Sequence, residues 1–474
     1  MKRQALLFAA LLTAMTITAQ MPVLRVTFGG NITTDTDYHF GQMVLTDADG
    51  SETVLPAKFK SRGATAKQYS MKPSFNMKLR DADGTEIDST LCGLRSASSW
   101  ILDAMAIDRI GMRNRVAFDI WNEFSRLPYD TQFDSRNGTV GQFVEVYIND
   151  TYKGIYCLTD RINRKLLDLK KPQVTEGDSA AVVIRGVIYK HGTNSIGDQN
   201  TAGTYSPDST ALVIRYHDAW ELTEPEDYAG LAAWQPLYEL YENKDSFEYV
   251  RDHFYMDNLA EYQVFIAALS IGDNWGNKNA YISARNIQAD GNKRRFVYTP
   301  WDLDTSLGGN YNGSNYGGTY SNWKVSDVMK ASSKPIPFSV CNRQNEFKDL
   351  LREKWIQGRL GALSVESVSQ KLYAYRDLFI STGAWQRACD YWDSQHYRPC
   401  YVSDLTTEID YIVEWYRNRH AEMDEYFGID PLGIEQVCPP TQPTRSAVYN
   451  LQGMKVTKPT RGLYIQNGTK FLVR

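Results

Sequence analysis

Histidine and cysteine are the scarce residues of this sequence, six of each in 474. No two histidines have the spacing of a zinc-binding helix and no C-x-x-C occurs, so a zinc hydrolase is not expected. The cysteines, Cys92, Cys157, Cys341, Cys389, Cys400 and Cys438, are spread too widely to staple a small scaffold. Cys157, inside the apolar run Ile155-Tyr156-Cys157-Leu158, reads as a buried thiol. Cys389 and Cys400 are close enough to bridge in an oxidising compartment, although nothing demands it. Excess positive charge is missing as well. The formal net charge is -4, and about -6 without Lys2 and Arg3, which argues against a nucleic-acid partner. Long apolar runs are absent too: Ala5 to Leu12 falls short of the roughly 20 residues of a membrane span.

That run has another reading. Met1-Lys2-Arg3 is basic, the apolar stretch follows, and Ala19-Gln20 offers a small-residue cleavage point. This is the layout of a secretory signal peptide over residues 1–19, with no cysteine at the cut to carry a lipid. The mature protein is expected to be soluble and exported, to the periplasm, the cell surface or the medium. Its length suits two or three folded units with a large core. Aromatic residues are plentiful, with 30 Tyr and 11 Trp. They suit a well-packed globule, with carbohydrate stacking as the weaker alternative.

Residues 22 to 80 read as strands, since Val23 to Phe28 and Phe75 to Leu79 alternate. A helix is expected at about 112 to 126, with Val116, Ile120 and Phe124 on one face. Phe143 to Ile148 and Gly154 to Leu158 form a hairpin, and Val182 to Tyr189 another strand. Polar residues 192 to 210 read as an exposed insertion. Leu259, Tyr262, Phe265, Ile266 and Leu269 recur at helical spacing, marking a helix over 256 to 271 that ends at Gly272. A second hairpin joins Tyr281-Ile282 to Phe296-Val297-Tyr298. Beyond 320 the pattern is helical, ending in a helix from Asp404 to Phe427. Residues 429–446 form a Pro-rich linker, and 447–474 alternate like short strands.

Two loop segments carry the chemistry: Gly272 to Asn279 (GDNWGNKN) and Pro300-Trp301-Asp302-Leu303-Asp304. If the second is extended, Asp302 and Asp304 face one side and offer oxygens to a hard cation. Asn279 offers an amide oxygen to the same ion. Phosphoryl transfer needs this division of labour: an acid to position the hydroxyl, Asn and Asp on Mg²⁺, and a Lys on the phosphates. Lys72 and Lys78 are candidates for that Lys. Spacing alone leaves a solvated turn and a surface Asp pair as alternatives.

The order of motifs resembles the CotH kinase family. Arg62-Gly63 with Lys72-Pro73-Ser74-Phe75-Asn76-Met77-Lys78-Leu79 looks like that family's R-G-N-S…K-K-S-Y-x-x-K-L region. Asp108 with Met112-Arg113-Asn114 looks like its D-x-x-x-x-R-N helix start. Phe143 to Tyr147 with Gly154-Ile155-Tyr156 resembles V-E-V-Y…G-x-Y, and Trp415, Arg419 and Asp424 resemble its closing helix. The two loops above match its catalytic and metal-binding loops, and the likeness spans residues 22 to 428.

The resemblance implies an α+β, atypical protein-kinase-like bilobal fold: a sheet-rich N-lobe over about 22–190 and a helical C-lobe over about 211–428. It implies transfer of the ATP γ-phosphate to Ser or Thr of a protein substrate, with Mg²⁺ or Mn²⁺. By the same resemblance Asn279, Asp302 and Asp304 hold the metal. Arg62, Lys72, Lys78 and Glu145 serve the nucleotide side. Glu145 has two readings, an outward-facing strand residue or a lobe bridge pairing with Lys78. The catalytic acid belongs five residues before the Asn, where Asn274 stands; Asp273 is one residue early. Ala64 replaces an Asn usual after Gly63. The stretch Gly308 to Gly318 is either a substrate-covering loop or an insertion.

The tail resembles sorting domains of exported Bacteroidetes-type proteins. Tyr449-Asn450-Leu451-Gln452-Gly453, Arg461-Gly462-Leu463-Tyr464-Ile465 and Gly468-Thr469-Lys470 carry that likeness, which implies type IX export from a Gram-negative cell. An ordinary small β module is the other reading.

Overall fold

The structure is a computed structural model. It describes residues 20–29, 37–63, 71–129, 131, 134–174, 182–191, 220–224, 231–275, 279–288, 295–310, 323–396 and 401–430. In the tail it describes 448–450, 455–456, 462–466 and 469–473. The signal segment, Ala64, the 192–210 stretch, most of the 308–318 loop, Cys400, Cys438 and most of the Pro-rich linker lie outside the described residues. The chain divides into two compact units, Met1–Phe427 and Gly428–Arg474.

The first unit is mixed α+β, sheet-rich toward the N-terminus and helical toward the C-terminus. Its first seven strands are β1 (Val23–Phe28), β2 (His39–Thr46), β3 (Glu52–Arg62), β4 (Ser74–Leu79), β5 (Ser99–Asp103), β6 (Gly141–Ile148) and β7 (Thr151–Asp160). These strands, expected only as a sheet-rich region, close into a barrel ordered β1-β2-β3-β4-β5-β7-β6. The seam is a parallel pairing of β1 with β6, Val23 opposite Glu145. Alternation decides which side chains fill it. Leu24, Val26, Phe28, Met43, Ala57, Phe59, Phe75, Met77, Trp100 and Leu102 point inward. Lys58, Lys60 and Arg62 take the other face of β3, and Asn76 and Lys78 that of β4. Gly41 lies opposite Phe28, where an added Cβ would sit 2.0 Å from the Thr27 carbonyl oxygen.

Helix α1 (Arg113–Phe124) follows β5. Asp108 starts it: its carboxylate accepts from the Ile110, Met112 and Arg113 backbone N–H groups and from the Arg113 guanidinium. Those backbone donors have no partner inside the helix, so an acceptor there stabilises its first turn.

A two-stranded piece, β8 (Gln173–Val174) and β9 (Val182–Val183), precedes a second sheet. The strand expected over Val182 to Tyr189 is therefore split. That sheet contains β10 (Val187–His191), β11 (Trp220–Glu224), β12 (Ala280–Ala284) and β13 (Phe296–Pro300), ordered β11-β10-β12-β13. Its β10–β12 pairing joins residues from both sides of the expected lobe boundary.

The remaining helices are α2 (Leu231–Glu242), α3 (Phe247–His253), α4 (Met256–Leu269), α5 (Val325–Ser332), α6 (Phe338–Cys341), α7 (Asn345–Arg359), α8 (Val365–Ser381), α9 (Ala384–Ser394) and α10 (Leu405–Tyr426). Asp404 caps α10 by accepting from Thr407 N at 3.0 Å. Helix α4 is buried nearly all round, so its apolar residues carry no one-sided stripe. It ends at Ser270, in the left-handed region, rather than at Gly272. Phe143 of β6 packs edge-on against Tyr375 and Phe379 of α8, which covers this part of the barrel with helix.

The second unit holds β14 (Val448–Asn450), β15 (Lys455–Val456), β16 (Gly462–Gln466) and β17 (Thr469–Val473), an antiparallel sheet ordered β15-β14-β16-β17.

Candidate active site

The two loops singled out in the sequence are tied together by one side chain. Asn274 is buried, and its amide donates to the Asn279 carbonyl at 2.8 Å and the Trp301 carbonyl at 2.9 Å. Trp301 N donates to Asn279 O at 2.8 Å, which extends the β12–β13 pairing by one step. Asn274 is thus a brace. Its side chain turns inward, away from the role of the acid that the family resemblance puts at this position. Asp273, in the single 3-10 turn Gly272–Asn274, is half-buried and keeps a carboxylate at the site.

Asp302 and Asp304 come together, although not as an extended piece. Asp302 has φ 56° and Asn279 φ 57°, left-handed conformations that Asp and Asn tolerate better than most residues and that cluster at functional sites. Leu303, between the acids, donates its N–H to Asn114 Oδ1 at 3.0 Å. Asn114 Nδ2 donates to Asp103 Oδ2 at 2.8 Å, so one amide on α1 fixes both the Asp302–Asp304 loop and the last residue of β5. Asp103 also accepts from Met105 N at 3.1 Å. Leu307 N donates to the Leu269 carbonyl at 2.8 Å, and Arg419 donates to the Ala267 carbonyl. Carbonyls at the C-terminal end of α4 are thus satisfied by the loop after β13 on one side and by α10 on the other.

The electrostatics are those of crowded like charges. Asp302 is an exposed residue, yet the protein around it still desolvates its carboxyl. This desolvation raises its pKa; Asp103 and Asp273 push it the same way, while Arg62 and Lys190 oppose them. Asp304 lies deeper. Desolvation raises its pKa well above the ordinary value, and Asp302, Asp273, Asp103 and Asp108 all add to the rise. Carboxylates arranged this way bind a proton or a cation more readily than isolated ones. Among the described residues, no group of three or more His, Cys, Asp and Glu is close enough to grip a metal as it stands. The fit to a divalent ion rests on the oxygen-only donor set and the mutual repulsion of Asp302 and Asp304.

Behind the loop the packing is tight. A Cβ on Gly309 would meet the Asp304 carbonyl oxygen at 2.9 Å and Arg113 Cδ at 3.0 Å. Only glycine lets the chain turn there against the buried Arg113–Asp108 pair.

These observations suffice to place the sequence. The profile of a family described as CotH kinase protein matches residues 59–423. The chain belongs to the CotH kinase family. No curated protein matches it. The family match covers both loops, the barrel from β3 onward and nearly all of α10.

Not every expected residue joins the CotH site. Lys72 is wholly buried and donates to the Ala104 and Ile155 carbonyls and to Tyr401 Oη. Desolvation lowers its pKa to about 7, with Asp103 opposing. Its ammonium is used inside the protein, which corrects the expectation that it faces phosphate. Lys78 lies on the outer face of β4 with its Nζ 5.2 Å from the Tyr38 ring centroid. Glu145 is buried and takes a two-pronged bond from Arg387 of α9, Nε to Oε1 at 3.0 Å and Nη2 to Oε2 at 2.6 Å. Tyr152 Oη donates to the same carboxylate at 2.6 Å. Glu145 therefore bridges barrel to helix, with Arg387 in place of the expected Lys78. Arg62 does reach the site, its guanidinium 5.5 Å from the Trp301 ring centroid.

Three residues escaped sequence reasoning. Asn114 stood inside a quoted motif without a role. Asp103 ends the strand Ser99–Asp103, and nothing in its spacing to Asp302 hints that the two carboxylates act on each other. Lys190 carries no local signal at all. Cys157 is buried as expected, and desolvation pushes its thiol pKa up.

Proposed function

We propose that this CotH family protein is a phosphotransferase that moves the γ-phosphoryl group of ATP to Ser or Thr hydroxyls of a protein substrate, with Mg²⁺ or Mn²⁺. The observation that carries the reading is the Asp302–Asp304 pair, two carboxylates whose mutual repulsion a divalent cation would relieve. The kinase-like bilobal arrangement, export by the N-terminal signal and sorting by the tail belong to the same proposal.

In this reading Asp302 and Asp304 hold the cation, with Asn279 as the third oxygen donor. The bound ion supplies charge neutralisation for the phosphates. The acceptor hydroxyl attacks the γ-phosphorus and its proton passes to Asp273. The bond to the β-phosphate oxygen breaks and ADP leaves. Asn274 and Asn114 hold the two loops in register, since misplacement of reacting groups by even an ångström is costly. The test is labelled ATP with Mn²⁺ or Mg²⁺, comparing wild type with Asp302→Ala. Transfer lost in the variant is expected; a wild type that neither binds nucleotide nor transfers label, even to itself, overturns the reading.

The specific observation favouring a second reading is Asn274, whose amide braces the loops at the position expected to hold the base. An inactive kinase-like scaffold that still binds metal and nucleotide would have this feature. Nucleotide binding without transfer, unchanged in Asp273→Asn, would select it.

A further inference from the structure

Two cations from different sheets converge on one indole beside Asp302. Arg62, the last residue of β3 in the barrel, places its guanidinium 5.5 Å from the Trp301 ring centroid. Lys190 of β10 in the second sheet places its Nζ 5.9 Å from the same centroid. Trp301 is itself fixed. Its backbone is held at both N–H and carbonyl, and Tyr281 and Phe118 meet its ring edge-on at 5.7 and 6.3 Å. Tyr281 lies directly opposite Lys190 in the β10–β12 register, so both share the sheet face that carries the indole. A fixed aromatic ring within reach of two cations attracts both through its quadrupole and so offsets part of the cost of bringing them near one another.

We propose that Lys190, with Arg62, is the anion clamp of this site, gripping the phosphates of a polyphosphate ligand beside Trp301. The proposal rests on the phosphotransferase reading and adds residues to it: the phosphate-facing lysine is Lys190, not the inward-turned Lys72. The charge balance at the site favours such a clamp. Asp103, Asp273, Asp302 and Asp304 act on one another here, and a bare polyphosphate would be repelled. Among the described residues, Arg62 and Lys190 are cations that act on Asp302 against this field. Together with a divalent ion they turn a repulsive mouth into one that accepts an anion. Arg62 presents a planar fork suited to two phosphate oxygens, whereas Lys190 contributes a compact point charge.

The experiment uses the full chain and inorganic tripolyphosphate with Mn²⁺, followed by calorimetry. Wild type and the remote control Lys371→Gln are expected to bind alike. Lys190→Gln and Arg62→Gln should each weaken binding about tenfold or more, with Lys190→Arg retaining most of it. Circular dichroism on each variant separates loss of binding from loss of fold. Equal binding by folded Lys190→Gln and wild type overturns the clamp, and so does absence of tripolyphosphate binding by wild type. Because tripolyphosphate binding needs no transfer, its failure in a chain that still labels substrate leaves the phosphotransferase reading standing. Normal binding in a chain that never transfers leaves the clamp standing.

Discussion

Asn114→Asp is the most informative single change at this site. The native amide presents an oxygen to Leu303 N at 3.0 Å and a nitrogen to Asp103 Oδ2 at 2.8 Å. Aspartate keeps the first bond and replaces the second with two facing carboxylates. Loss of a hydrogen bond to a charged group costs about 1.5–3 kcal/mol. Repulsion adds about 1 kcal/mol at a half-exposed position, giving a total near 3 kcal/mol. For the unit Met1–Phe427, at roughly 2.1 cal/mol/K per residue, this lowers the melting temperature by about 3 °C. The metal response should move the other way. An extra carboxylate among Asp103, Asp302 and Asp304 makes a cation more welcome, so saturating Mn²⁺ should raise the melting temperature of the variant more than that of wild type. A ligand at 100 times its dissociation constant stabilises by about 2.7 kcal/mol, enough to read by scanning calorimetry. Asn114→Leu removes both bonds and should lose stability together with most of the Mn²⁺ response. An Asn114→Asp protein that melts like wild type and gains no more from Mn²⁺ would refute the bridging role.

Other expectations follow from the same geometry. The folded-state pKa of Asp304 is raised, so its protonated form is favoured in the fold. Without metal, its contribution is complete below the unfolded value of about 4 and is lost as pH rises through the folded pKa. Asp304→Asn should therefore stabilise the metal-free protein at pH 7 and flatten the rise of Mn²⁺ affinity with pH, measured by titration calorimetry between pH 5 and 7. Gly309→Ala forces a Cβ onto the Asp304 carbonyl and Arg113. Urea unfolding should show a loss of about 1–3 kcal/mol, and a loss below 0.5 kcal/mol would mean that the loop yields freely. Lys72 is a base whose folded pKa falls from 10.5 to about 7. Stability should climb between about pH 7 and pH 10, as the unfolded chain keeps its proton while the fold has shed it. In Lys72→Met that climb should disappear from pH-dependent urea midpoints.

How far the sequence speaks for itself depends on the range of the contact. The β6–β7 hairpin, α1, α4, the β12–β13 hairpin and α10 were all legible, because periodicity and turn residues are local signals. Barrel closure was not: Val23 meets Glu145 across 122 positions of chain, and alternation in β1 is the same whether its second edge is paired or open. The continuous burial of α4 was likewise hidden, since a helix buried all round shows no stripe. At the site, Asp302, Asp304 and Asp273 were found as acids in loops. Lys72 was misread because its residue type and position matched a role while its side chain turns inward, and the bracing contacts of Asn274, the amide at the acid's expected position, were not visible in the sequence. Glu145 was half read: a bridge was legible in a buried strand acid, but its partner lies on a helix 242 residues away. Asp103 and Lys190 approach from strands of different sheets, which only the assembled fold brings near Asp302.

The parallel seam between β1 and β6 fixes an order of events in folding. β1 finds β2 across a short loop, but its other edge waits for residues 141–148, which form early only as a hairpin with β7. Closing a loop of this length is entropically slow, so strand β1 should be the last to lock. Pulse-labelled hydrogen exchange should find the amides of Val23–Phe28 protected after those of Gly141–Asp160; earlier protection would contradict it. Until that moment the nascent barrel has two raw borders, and afterwards it has none to offer a neighbouring chain.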